Sequence, residues 1–186
     1  MDLEQVDRIT ADAVGEPGSR TFYLQMRSGA EIVSVILEKQ QLQLLASSIE
    51  ELLGQLERAT DVVPGADGGL EEPLEPLWRV GRLSLGYHED LDLVLLEVEE
   101  LVPEDEDEED AENDEATAAA PEPILEPTPE PQRIRVWATR EQMLGLARHG
   151  SAVVAAGRPL CQFCGNPLDP AGHTCPAMNG HGSPTP

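Results

Sequence analysis

The sequence predicts an α+β fold in which two diverged β-β-β-α units form one sheet, with both helices packed on one face. Three observations support this prediction: short segments alternate apolar and polar residues, two longer segments carry apolar residues at helical spacing, and the order of segments occurs twice. The chain has 186 residues, which is long enough to bury a core without disulfides. Only 3% of its residues are aromatic, so we expect an aliphatic core.

The first unit consists of three predicted strands followed by a helix. Its strands are residues 7–15, 21–27 and 31–38. In the second strand Phe22, Leu24 and Met26 alternate with more polar residues, which is the pattern of a half-buried strand. Residues 28–30, Ser-Gly-Ala, form the hairpin turn that follows it. Residues 39–59 place leucine and isoleucine three and four positions apart, which predicts an amphipathic helix.

The second unit repeats this order. Its strands are residues 77–90, 91–101 and 132–140, and its helix is residues 141–157. Residues 33–46 overlay residues 134–147 without a gap, and Gln41 then matches Gln142. We interpret the match as a diverged internal duplication. The alternative is chance similarity between two strand–helix junctions.

An acidic tract, residues 103–132, separates the last two predicted strands. It carries 13 acidic residues and no lysine or arginine, and it is rich in proline. Such a composition opposes collapse, so the sequence predicts a disordered insertion in a hairpin loop. The resulting organisation is a duplicated α+β domain over residues 1–157, followed by a zinc knuckle and flexible tail over residues 158–186.

The charge of the chain limits its plausible partners. The formal net charge is −24, and an acidic body repels phosphate, so nucleic acid is an unlikely partner. The C-terminal third is more basic, and its candidate phosphate contacts would be Arg133, Arg135, Arg140, Arg148 and Arg158. The sequence contains no apolar run long enough to cross a membrane, and residues 1–10 lack the apolar stretch of a signal peptide. We therefore expect a cytoplasmic protein.

The strongest chemical signal is the stretch CQFCGNPLDPAGHTC, residues 161–175, which holds every cysteine of the chain. Cys161 and Cys164 have the C-x-x-C spacing that lets one tight turn present two thiolates to one ion. His173 and Cys175 follow a connector rich in proline and glycine. Together these four residues predict a zinc site of three thiolates and one imidazole.

Other interpretations of this stretch remain open. His181 competes with His173 for the fourth position, and a redox C-x-x-C is the main alternative to a metal site. Because four ligands close the coordination sphere and the loop contains no glutamate, we expect a structural zinc ion. The odd number of clustered cysteines argues against a disulfide framework.

No catalytic residue is predicted. The cluster GYHED at residues 86–90, which contains His88, is best explained as a solvated turn. An uncharacterised hydrolase or nucleotide-handling enzyme with a site near Arg20 and His88, together with Arg135, is the alternative function.

These segments resemble an actinobacterial family of similar length whose function is unknown. The resemblance rests on residues 15–46, 81–100, 135–150 and 161–181, the last of which carries the C-x-x-C-G and H-x-C motifs. It implies a bacterial protein with a C-terminal zinc-finger-like motif and no established catalytic residue. The sequence as a whole favours a non-enzymatic zinc-binding adaptor or regulatory protein that contacts an unknown protein partner.

Overall fold

The computed structural model describes residues 1–56, 59–60, 69–102, 130–157, 160–166, 168 and 175–176. Within these residues, seven strands and two helices follow one another in the order β-β-β-β-α-β-β-β-α. The strands are β1 (Asp2–Gln5), β2 (Arg8–Val14), β3 (Thr21–Ser28), β4 (Glu31–Leu37), β5 (Pro76–His88), β6 (Leu93–Glu100) and β7 (Arg133–Thr139). The helices are α1 (Lys39–Gln55) and α2 (Arg140–Ala155). The α+β class predicted from the sequence is confirmed.

All of these strands belong to one mixed sheet, in the order β1-β7-β6-β5-β4-β3-β2. Strands β2, β3 and β4 form one antiparallel meander, and β5, β6 and β7 form another. The two meanders meet where β4 pairs parallel with β5, and β1 pairs parallel with β7. Leu24 lies opposite Val35, and Leu96 lies opposite Val136, with all four side chains fully buried. Alternation along each strand thus produces one continuous apolar face.

The strand order is circular. Strands β1 and β2 stand at opposite ends of the sheet, but only Val6 and Asp7 separate them along the chain. The N–H of Val6 donates to the carbonyl of Trp137 on β7 (2.9 Å), and the next N–H, of Asp7, donates to the carbonyl of Arg27 on β3 (2.8 Å). This bend therefore connects the two ends of the sheet.

A second bend lies within β5. The first residues of this strand pair with β4, and the pairing with β6 begins at Val80, with an irregularity in register before Arg82. Gln41 of α1 contacts this bend, because its Nε2 donates to the carbonyls of Val80 (3.0 Å) and Gly81 (3.3 Å). Gln142 of α2 is hydrogen bonded to the first bend in a similar way, so each helix begins beside one bend.

Both helices start with side-chain contacts that satisfy free backbone groups. The N–H of Glu38 donates to Gln41 Oε1 (2.8 Å), and the N–H of Thr139 donates to Gln142 Oε1 (2.8 Å). Thr139 Oγ1 in turn accepts a hydrogen bond from the N–H of Gln142 (3.2 Å), which completes a capping box. These contacts determine where α1 begins after β4 and where α2 begins after β7.

The core is one mainly aliphatic cluster to which every described strand and both helices contribute. The helices pack closely where α2 carries Gly150. A Cβ at this position would lie 2.9 Å from Leu42 Cδ1 of α1, and Leu42 is fully buried. The absence of a side chain at Gly150 therefore permits the close approach of the helices.

The predicted elements are present, with a few differences at their ends. The helix predicted over residues 39–59 ends at Gln55, and the strand predicted to start at residue 91 starts at Leu93 because residues 89–92 form a turn. Strand β1 was not predicted. It is short and polar apart from Leu3, and it pairs with a strand about 130 residues away in sequence, as the register of Asp2 with Arg135 shows.

The acidic insertion predicted at residues 103–132 falls in the connection between the antiparallel strands β6 and β7. Residues 103–129 lie outside the described residues. The two ends of the connection are adjacent, because the N–H of Glu100 donates to the carbonyl of Gln132 (2.8 Å).

Candidate metal centre

The chain forms a tight knuckle shortly after α2. The N–H of Gly165 donates to the carbonyl of Cys161 (2.8 Å), and the N–H of Cys161 donates to the carbonyl of Asn166 (2.8 Å). Gly165 has a φ of +74°, a conformation that a residue without a Cβ adopts at low cost. The glycine after the C-x-x-C pair is thus the residue that allows the turn.

The knuckle brings together the sulfur atoms of Cys161, Cys164 and Cys175, which all lie within 4.8 Å of one another. Cys161 Sγ and Cys175 Sγ are 3.8 Å apart, far beyond a disulfide bond of about 2.05 Å, and all three cysteines are free. Cys161 and Cys175 are buried, and Cys164 is half-buried. Three soft ligand atoms therefore converge on one point and can hold a metal ion.

Burial and hydrogen bonding have opposing effects on the pKa values of Cys161 and Cys164. Burial acts to raise the pKa of Cys161, but hydrogen bonds from the backbone of Cys164 and Phe163, together with the neighbouring thiols, lower that pKa below its usual value. Hydrogen bonding to the backbone at Asn166 acts to lower the pKa of Cys164, but burial and the other two thiols raise it overall. Closely spaced thiolates repel one another, and a bound cation relieves this repulsion.

The cysteine cluster has a small apolar core of its own. Among the described residues, buried Leu168 packs with Cys161 and Cys175, with Cys164 at the edge, and this group is separate from the main core. Three of the four predicted ligands are thus brought together. His173, like its competitor His181, lies outside the described residues. The assignment of an imidazole as the fourth ligand stays a prediction.

A family profile described as a protein of unknown function, DUF3090, matches residues 1–175. The chain belongs to the DUF3090 family. The match ends at Cys175, so it includes all three cysteines of this DUF3090 chain. No curated protein and no solved structure matches the chain.

The residues of the alternative enzyme site have separate contacts in this DUF3090 fold. Arg20 Nη1 donates to the carbonyl of Val153 on α2 (3.2 Å), and its guanidinium lies 5.3 Å from the centre of the neighbouring Phe22 ring. His88 Nδ1 accepts from the N–H of Leu91 (3.4 Å), and its ring meets Trp137 edge-on at 6.0 Å. These contacts explain both side chains as parts of the local packing.

The arginines of the C-terminal third are mostly paired with carboxylates. Arg133 lies by Glu99, and Arg135 Nε is 2.8 Å from Glu97 Oε1. Arg140, the first residue of α2, is buried and pairs with Asp92, whereas Arg148 is exposed. Arg158 lies outside the described residues. Among the described residues, no helix combines the length and the apolar character needed to cross a membrane.

The role of Arg140 was not apparent from the sequence. Its Nε and Nη2 donate to the two carboxylate oxygens of Asp92 (2.9 and 3.1 Å), and Nη1 donates to the Ala59 carbonyl and Thr60 Oγ1 (3.1 and 3.0 Å). Tyr87 also donates to Asp92, at 2.5 Å. The hydrogen bond to Asp92 is the main cause that raises the pKa of Arg140. The only sequence signal was a basic residue at the start of the second helix, matching Lys39 in the first.

Proposed function

We propose that the cysteine cluster holds a structural Zn²⁺ ion, with Cys161, Cys164, His173 and Cys175 as ligands. The observation that carries this proposal is the sulfur geometry. Thiolates about 2.3 Å from a tetrahedral zinc ion are about 3.8 Å apart. The 3.8 Å between Cys161 Sγ and Cys175 Sγ fits that spacing, and Cys164 Sγ lies within reach of the same centre.

Two observations support His173 rather than His181 as the fourth ligand. His173 is separated from Cys175 by one residue, so both can reach the ion from one short extended segment. The family match includes position 173 and ends before position 181. Three thiolates and one imidazole leave no open position for a substrate, which favours a structural ion over a catalytic one.

The protein itself acts as a non-enzymatic adaptor or regulatory protein that works through protein–protein contacts in the cytoplasm. The knuckle supports this proposal because Leu160 and Phe163 flank the cysteine turn with apolar side chains that are 65% and 55% exposed. A rigid turn that presents apolar side chains to solvent is a typical protein contact. The ion pairs of Arg133, Arg135 and Arg140 with carboxylates disfavour nucleic acid as the partner.

We also propose that the main domain, residues 1–157, arose by duplication of a β-β-β-α unit. The two meanders, the two parallel junctions and the two bends support this interpretation, since each feature of one half has a counterpart in the other. The glutamines aligned by sequence, Gln41 and Gln142, make the same kind of contact with the two bends. The acidic insertion then occupies the position that a two-residue turn, Gly29–Ala30, occupies in the first half.

Metal analysis of the purified, tag-free chain tests the site. We expect one zinc ion per chain, lost in Cys161→Ser and reduced in affinity in His173→Ala, while His181→Ala serves as the matched control and retains the ion. Cobalt substitution should give the intense visible bands of a tetrahedral thiolate site in the wild type and in His181→Ala. A chain that folds without stoichiometric metal, with three freely titratable thiols, would contradict the proposal.

Affinity purification from native lysate tests the adaptor function. Proteins captured by the wild type should be lost with Phe163→Ser but retained with Leu91→Ser, because Leu91 is similarly exposed and belongs to the turn between β5 and β6. Deletion of residues 103–129 shows whether the acidic tract takes part in the same contact. Identical captured proteins for the wild type and Phe163→Ser would contradict a partner at the knuckle.

A further inference from the structure

The exposed face of α1 lacks charged residues over most of its length. No charged residue occurs between Lys39 and Glu50, although 26% of the chain is charged and its net charge is −24. Several side chains of this segment face solvent nonetheless. These are Gln40, Gln43, Leu44 and Ser47. Depletion of charge on an exposed face is the composition of a protein interface rather than of ordinary protein surface.

A groove of about 330 Å³ runs along the same side of α1, between the helix and β5. Four leucines, Leu44 and Leu45 on the helix and Leu83 and Leu85 on the strand, line it together with Gln41, Ser48, Gly81 and Arg82. The corresponding contact in the other half is closed, since Ile9 and Ala11 on β2 and Gly145 on α2 are buried. Leu83 and Leu85 are only half-buried, and Leu44 at the groove edge is 67% exposed. The face therefore presents both an apolar side chain and an apolar recess.

The charges that flank this face are placed against the dipole of their own helix. Lys39 is the first residue of α1, and its Nζ lies beside the end of α2, 3.4 Å from where a Cβ of Gly157 would be. Glu50 and Glu51 lie in the last two turns of α1. A helix favours negative charge at its N-terminus and positive charge at its C-terminus, so these positions do not stabilise an isolated α1. Within the described residues neither Lys39 nor Glu50 has an ion-pair partner in this chain.

We propose that this face binds a second copy of the chain, with the two α1 helices antiparallel about a twofold axis near Leu44 and Leu45. These leucines lie midway between Lys39 and Glu50, which are about 16 Å apart along the helix. An antiparallel pair centred there sets Lys39 of each copy opposite Glu50 of the other. Leu44 of each copy then enters the groove of the other, so the surface is self-complementary, as a twofold interface requires.

Sedimentation of the full chain over a range of concentrations tests this proposal. We expect a reversible dimer with twice the 20.2 kDa mass of one chain. Leu44→Glu should weaken dimerisation by about 30-fold or more, as expected for an apolar anchor at the centre of an interface. Leu91→Glu, a change at an equally exposed leucine outside α1, is the control and should dimerise as the wild type does.

A charge exchange tests the antiparallel arrangement itself. Lys39→Glu and Glu50→Lys should each weaken dimerisation by about fivefold, and the double variant should restore it. Both single changes suit the dipole of α1, so weaker association cannot be attributed to a less stable helix. Near-ultraviolet circular dichroism verifies that each variant keeps the native fold.

Three results would overturn the proposal. The first is a wild type that stays monomeric at the highest concentration reached, which would leave this face to a different protein. The second is a dimer unaffected by Leu44→Glu, or by Leu44→Ser where the glutamate variant does not fold. The third is a double charge variant that associates no better than the single variants do.

Discussion

Gln41 and Gln142 occupy the same position in their helices, and the side-chain amide of each donates two hydrogen bonds to backbone carbonyls at a bend of the sheet. The side-chain oxygen of each accepts from the residue that precedes the helix. Each glutamine thus links the first turn of its helix to a bend, where the backbone stops pairing with one strand and begins to pair with another. Since a bend interrupts the regular ladder, carbonyls there need a donor from elsewhere.

Replacement of these glutamines should destabilise the fold. Gln142→Ala removes hydrogen bonds to Val6 and Asp7, and we expect the free energy of unfolding to fall by about 1–3 kcal/mol. Gln142→Glu should cost at least as much, because a carboxylate would face two carbonyl oxygens. Urea denaturation measures both changes. Gln43→Ala, on the exposed face of α1, is the control and should change stability by about 0.5 kcal/mol or less.

The contact between Gly150 and Leu42 predicts that Gly150→Ala destabilises the wild type but stabilises a variant in which Leu42 has been shortened. Gly150→Ala alone should destabilise the wild type, because the new Cβ would meet Leu42 Cδ1 at 2.9 Å. Leu42→Ala should cost about 2–5 kcal/mol through the cavity that it leaves. In that background Gly150→Ala should become stabilising by up to about 1 kcal/mol, since alanine favours a helix over glycine. Additive effects in thermal or urea unfolding would contradict direct packing of the two residues.

The pair of Arg140 and Asp92 should contribute more to stability than the exposed ion pairs. Asp92→Asn leaves the buried guanidinium without its carboxylate, and we expect a loss of about 1–3 kcal/mol, reduced by the partial exposure of Asp92. Asparagine retains the tolerance for the φ of +53° found at this position. Glu99→Gln, which removes the partner of half-exposed Arg133, is the matched comparison and should cost less than about 1 kcal/mol.

Removal of the proposed zinc ion should unfold the knuckle and leave the main domain intact. Among the described residues, the cysteine cluster packs around Leu168 and belongs to a different apolar cluster from that of the sheet and helices. Addition of a strong chelator should therefore increase amide hydrogen exchange at residues 161–166 and leave exchange in β3, β4, β6 and β7 unchanged. Cys161→Ser should behave in the same way without chelator. Loss of protection throughout the sheet would show that the two cores are coupled.

Local sequence patterns predicted most of the fold, because most of its elements are defined by local apolar periodicity. Phe22, Leu24 and Met26 alternate, and all three are buried on the predicted face of β3. Leu42, Leu45 and Ile49 follow the helical period and form the buried face of α1. The cysteine cluster was predictable for the same reason, since the C-x-x-C-G spacing determines the turn at Gly165.

Features that depend on distant partners were not predictable in this way. Strand β1 has one buried apolar residue, Leu3, and is a strand only because β7 pairs with it. No local sequence pattern marks the bends at Val6 and at Val80, because each bend is defined by which neighbouring strand forms the next backbone hydrogen bond. The role of Arg140 likewise depends on Asp92, 48 residues earlier in the chain.

The circular strand order has a consequence for how the chain is made. Met1 donates from its amino group to the carbonyl of Arg133 (2.7 Å), and the residues that follow pair with Arg135 and Val136. Strand β1 therefore has no partner strand until β7, about 130 residues later in the chain, has been synthesised. Closure of the sheet is thus a late event of biosynthesis, because it needs β1 and β7 to pair.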